Sequence, residues 1–162
     1  MAIDYIALAQ WGLVPALGVL FGISLTYSYN LFYKKILEKE NDIKTKVRDD
    51  VTEKVNKFNE IASQNQQGEQ EFANHIGRIA KFKEIVKDSK TSFRRDIILS
   101  AIITIFLGIV YIIWVDKRDA LFVGGVISLG YHLLSFNSLR IDYDRLERFL
   151  NGEDPKTILG EE

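Results

Sequence analysis

Apolar and polar residues are sorted into blocks along this chain rather than mixed throughout at helical period. Gly12 to Phe32 reads GLVPALGVLFGISLTYSYNLF. It is about twenty residues without a charge, the length a helix needs to cross hydrocarbon. Ile97 to Val115 (IILSAIITIFLGIVYIIWV) and Ala120 to Phe136 (ALFVGGVISLGYHLLSF) repeat that character, with Asp116-Lys117-Arg118-Asp119 between them as a charged turn. Residues 34–96, by contrast, are thick with Lys, Glu, Asp, Arg and Gln. There the apolar positions do fall at helical period. Ile43, Val47, Val51, Val55, Phe58 and Ala62 form one stripe, and Phe72, Ile76, Ile79, Phe82 and Val86 form another. The polar run Ser63 to Gln70, which contains Gly68, separates them as a turn, so the region predicts an antiparallel helical hairpin. Leu139, Tyr143, Leu146 and Leu150 make a last stripe, with Arg140, Arg145 and Arg148 off it, and Asn151-Gly152 stops that helix. The closing EDPKTILGEE reads as a mobile tail.

The pattern as a whole predicts an all-α integral membrane protein. It has three transmembrane helices, a cytoplasmic, coiled-coil-like antiparallel hairpin between the first and second, and a C-terminal amphipathic helix. The divisions fall at 1–33, 34–96, 97–138 and 139–162. Orientation follows from Lys and Arg near the helix ends. Lys34, Lys35, Lys39, Lys87, Lys90, Arg94, Arg95, Arg140, Arg145 and Arg148 lie on one side, and only Lys117 and Arg118 on the other. This places the N-terminus outside and the C-terminus in the cytoplasm of a cell (inner) membrane. The leading segment carries Asp4 and neither Lys nor Arg, which is unlike a secretory signal.

Composition narrows the chemistry. Twenty-one Lys and Arg against 22 Asp and Glu leave no global field that would attract nucleic acid. The absence of cysteine excludes disulfides, thiolate metal sites and a Cys nucleophile. His75 and His132 lie far apart without ligand-like spacing, and no GxGxxG, P-loop, HExxH or GxSxG occurs. No enzymatic activity, metal or cofactor is expected. The apolar runs themselves hold no Asp, Glu, Lys or Arg, which argues against a proton-driven motor or a carboxylate-based transporter.

What the runs do carry is small and polar residues at four-residue spacing. These are Gly18, Gly22, Thr26 and Asn30 in the first, Ser100, Thr104 and Gly108 in the second, and Gly124, Ser128 and His132 in the third. Small residues let helix backbones approach closely, so these are candidate pore-lining or helix-packing positions. The stripes either meet within one chain or face a neighbouring copy. In the polar hairpin, Val47, Val51, Val55, Phe58, Phe72, Ile76 and Ile79 form a candidate surface for a cytoplasmic protein partner.

One span, a cytoplasmic helical hairpin and a two-span hairpin, with the N-terminus outside, resembles the layout of the Oxa-type superfamily of membrane insertases and their small relatives. The same order also resembles the stator-type proton-channel subunits of bacterial motors. The likeness is one of layout, and no residue roles are carried over. The expected function is a non-enzymatic, homo-oligomeric polytopic membrane protein. It would be pore-forming or channel-like, controlled through the cytoplasmic hairpin, with the lipid bilayer and further copies of itself as partners. An insertase-like chaperone and a scaffold subunit of a larger membrane complex are the alternatives.

Overall fold

A computed structural model describes the backbone of residues 5–61, 66–113 and 118–161, and side chains over 16–60, 68–103, 105, 106, 109 and 124–161. All of its regular structure is helical. The order is α1 (Tyr5–Ser28), a π-helical turn (Tyr29–Tyr33), α2 (Lys34–Ile61), α3 (Gln66–Ile113), α4 (Arg118–Leu150) and α5 (Pro155–Leu159).

 The last of these, Pro155–Leu159, is a short helix of five residues. The π turn sits where successive inward positions are five residues apart, from Ser28 to Tyr33, a spacing that i→i+5 geometry accommodates. The chain divides into two units: unit 1 is Met1–Leu31 with Ser92–Leu139, and unit 2 is Phe32–Thr91 with Arg140–Glu162.

Unit 2 has the usual polarity of a water-facing helical bundle, with an apolar inside and a charged outside. Ile36, Ile43 and Val47 from α2, Ile79, Phe82 and Val86 from α3, and Leu146 and Phe149 from α4 are its buried core. The α2–α3 pairing is antiparallel: Phe58 stacks on Phe72 at 4.4 Å, and Lys90 Nζ donates to Glu40 Oε2 at 2.9 Å. Phe82 and Phe149 lie almost parallel, with centroids 4.1 Å apart. At the end of α4, Lys46 donates to the Leu150 carbonyl at 3.1 Å, supplying a cation where the helix dipole is negative.

The stretch expected to be a mobile tail is folded instead. Asp154 caps α5 by accepting from the Lys156 backbone N–H, and Pro155 occupies the first turn, where its missing donor is harmless. Gly160, at φ 68°, ends the helix in the left-handed conformation that favours glycine. Ile158 is buried, and Glu161 accepts from Arg78 at 2.7 Å and Lys81 at 3.2 Å. These two cations hold the Glu161 carboxyl below its ordinary range. The amphipathic stripe after Leu139 belongs to α4 and is not a separate helix.

Unit 1 has the opposite polarity. Its buried side chains among the described residues are Ser28, Phe93, Asp96, Ser100, His132 and Leu139. Among the described residues, all the exposed large apolar side chains except Val55 and Ile141 belong to this unit. They include Val19 and Ile23 on α1, Ile98, Ile102 and Phe106 on α3, and Ile127 and Leu134 on α4.

Among the described residues, no helix is long and apolar enough to cross a membrane. This corrects the expectation of an all-α integral membrane protein with three transmembrane helices. It likewise removes the support for a channel-like protein of the inner membrane with its N-terminus outside and its C-terminus in the cytoplasm. Within the described parts of the first and last runs, polar residues are threaded among the apolar ones. Ser24, Thr26, Ser28 and Asn30 dilute the first, and Ser128, His132 and Ser135 dilute the last. α3 enters its run directly after Arg94-Arg95-Asp96, with Asp96 buried, and the side chains of that run are described continuously only as far as Ile103. The charged turn expected at Asp116 to Asp119 lies outside the described residues at 116 and 117, while Arg118 and Asp119 already belong to α4. The turn expected at Ser63 to Gln70 lies outside them up to residue 65, and α3 begins at Gln66.

Candidate functional site

The polar interior of unit 1 is where local helix geometry concentrates the chemistry. Phe93, Asp96 and Ser100 follow one another at intervals of three and four residues on α3, so one helix face carries all three inward. On α4, Ser128, His132 and Ser135 do the same. α1 contributes Phe21, Ser24 and Ser28.

Asp96 is the hub. Its Oδ1 accepts from the Tyr131 hydroxyl at 3.0 Å and from Arg95 Nε at 3.4 Å, and its Oδ2 accepts from the Ser135 hydroxyl. A carboxylate this deeply buried needs such donors, because an unpaired buried charge is strongly unfavourable. Ser28 Oγ donates to the Ser24 carbonyl at 2.7 Å, which satisfies its hydroxyl inside its own helix.

His132 is treated differently. It is 2% exposed, and neither ring nitrogen has a hydrogen-bond partner. Its ring meets Phe21 edge-on, with centroids 5.1 Å apart. Burial pushes the imidazole pKa down. The Ser24 carbonyl, near the ring but outside hydrogen-bond geometry, and the Asp96 charge act in the other direction.

The four-residue stripes separate into two sets. Ser100, Gly124, Ser128 and His132 point into unit 1, buried or half-buried. Gly18, Gly22, Thr26 and Asn30 are exposed on the other side of α1. A Cβ built at Gly18 or Gly22 would meet nothing within 4 Å. Thr26 Oγ1 donates to the Gly22 carbonyl at 2.9 Å, so its hydroxyl is turned back onto the helix. An open groove runs along this face, lined by Val19, Gly22, Ile23, Thr26, Tyr27 and Asn30 together with Leu31. Thr104 and Gly108 lie on α3, but their side chains fall outside the described residues.

The hairpin residues expected to meet a partner are largely used within unit 2. Val47 and Ile79 are buried, Val51, Phe58, Phe72 and Ile76 are half-buried, and only Val55 is exposed. Among the described residues, no group of three His, Asp or Glu side chains is arranged to hold a metal ion.

Asp96 escapes a reading by apolar runs because it stands one residue before the uncharged stretch that begins at Ile97. The signal that could have found it is the spacing Asp96, Ser100, Thr104, which extends the small-residue stripe by one turn. Tyr131 and Ser135 flank His132 and would have followed from it. Compared with known proteins, the chain matches no family model, no curated protein and no solved structure.

Proposed function

We propose that this chain is a non-enzymatic, self-associating helical protein, in which unit 1 makes the contact between copies and unit 2 forms a charged body of its own. The observation that carries this reading is the inverted polarity of unit 1. It buries Ser28, Asp96, Ser100 and His132 while leaving aliphatic side chains on all three of its helices in the open. Apolar surface on that scale is stabilised by being covered, at about 25 cal/mol per Å² removed from water.

The occupant favoured here is a second copy of the chain. A two-fold contact joins a patch to itself, so the patch must be self-complementary. The α1 groove meets that requirement. Gly18 and Gly22 leave room for an approaching backbone, Val19 and Ile23 form ridges beside them, and Thr26 has no free hydroxyl donor. Asn30, at the end of the same face, carries an amide with both donor and acceptor that can pair with its own copy across the axis.

Sedimentation velocity of the full chain, with and without phospholipid vesicles, tests the reading. The expected result is concentration-dependent growth beyond the 18.6 kDa protomer, unchanged when vesicles are added. A strict monomer, or a monomer that travels with the vesicles in place of its own copies, contradicts it.

A further inference from the structure

We propose that His132 makes the packing of unit 1 proton-sensitive: α1 rests on α4 through a neutral imidazole, and protonating that ring releases the contact. The ring is 2% exposed, packs edge-on against Phe21, and has no hydrogen-bond partner at Nδ1 or Nε2. A neutral imidazole carries one donor and one acceptor, whereas an imidazolium carries two donors and a charge. Neither ring nitrogen has a hydrogen-bond partner, and burial weighs against the charged form more than the Ser24 carbonyl and the Asp96 charge favour it.

The groups around the ring are few. α1 presents Phe21 and Ser24, neither of which titrates. α3 presents Asp96, whose carboxylate is already engaged by Ser135, Tyr131 and Arg95. α4 itself adds Tyr131, whose hydroxyl is committed to Asp96. The Asp96 charge and the Ser24 carbonyl favour the imidazolium, but burial outweighs both and holds the ring below the ordinary histidine range. The folded chain therefore takes up this proton less readily than the unfolded chain. The stabilisation is complete above the ordinary histidine pKa and is lost as the pH falls from there through the lowered pKa of the folded ring.

Thermal unfolding of the full chain between about pH 7.5 and about pH 5.5 tests the proposal, using His132→Phe and His75→Gln. His75 is the necessary control, because burial and the nearby Lys54 push its pKa down too. In the wild type and in His75→Gln, the Tm is expected to fall by roughly 3 °C or more on acidification. In His132→Phe that fall is expected to be smaller than in the wild type, and in the His132→Phe, His75→Gln double variant it is expected to be absent. Equal pH profiles in the wild type and His132→Phe overturn the proposal. Should phenylalanine at 132 prevent folding, the His75→Gln chain labelled with carbon-13 in its one remaining imidazole gives the second reading. Its resonance should titrate below free histidine; a midpoint at or above free histidine overturns the proposal.

Discussion

Phe82→Ala is expected to destabilise unit 2 by about 3–5 kcal/mol, the range for truncating a fully buried aromatic side chain. Phe82 is wholly buried and stacks face to face on Phe149, which is itself 1% exposed. Removing the ring leaves a cavity between α3 and α4 and deprives Phe149 of its closest aromatic contact. Ile79 and Val86, the neighbouring buried positions on α3, are a turn away and belong to the same core. Equilibrium unfolding in urea, followed by helix circular dichroism, measures the change. Phe82→Leu should recover part of it, since it keeps most of the apolar contact. A loss below about 1 kcal/mol would mean that this stack is not the centre of the core.

The helices of unit 2 were legible in the sequence because their apolar positions recur at helical period. Ile43 and Val47 on α2 and Ile79, Phe82 and Val86 on α3 are both the stripe and the core. The C-terminal segment was not legible as a run, because only Ile158 anchors it. Its signals were local ones, Asp154-Pro155 to start a helix and Gly160 to end it. Unit 1 departs from its sequence pattern for a different reason. Long uncharged runs do not say which way their few polar residues point. Once Ser28, Asp96, Ser100 and His132 turn inward, the aliphatic residues are left outside. The candidate cluster was half visible, through Ser100, Ser128 and His132. Its hub, Asp96, was hidden by standing at the edge of a run.

Gly22→Leu is expected to weaken self-association by 10-fold to 100-fold while leaving the protomer folded. The two effects separate because of where Gly22 stands. A Cβ there meets nothing within 4 Å in the chain itself, so a larger side chain adds no strain to the protomer. Leucine is also the better helix former, by roughly 0.5–1 kcal/mol. In the assembly the same side chain fills the groove between Val19, Ile23 and Thr26, where a second helix would lie. Forcing extra methylenes into a packed contact is unfavourable by about 1–3 kcal/mol. Sedimentation equilibrium should therefore report weaker association, and thermal unfolding should report a protomer at least as stable as the wild type. Unchanged association would place the contact elsewhere on unit 1.

The chain holds no cysteine, so a single one can be introduced without background. Gly22→Cys, in an otherwise unaltered chain, is the most direct test of the proposed contact. A disulfide requires the two Cα atoms to come within about 4.4–6.8 Å, a distance reached across the axis only if two α1 grooves face each other. Thr52→Cys, at an exposed position on α2, is the control. After mild oxidation, Gly22→Cys should run as a covalent dimer and Thr52→Cys as a monomer. If Gly22→Cys cross-links no better than Thr52→Cys, the groove on α1 does not join copies of this chain.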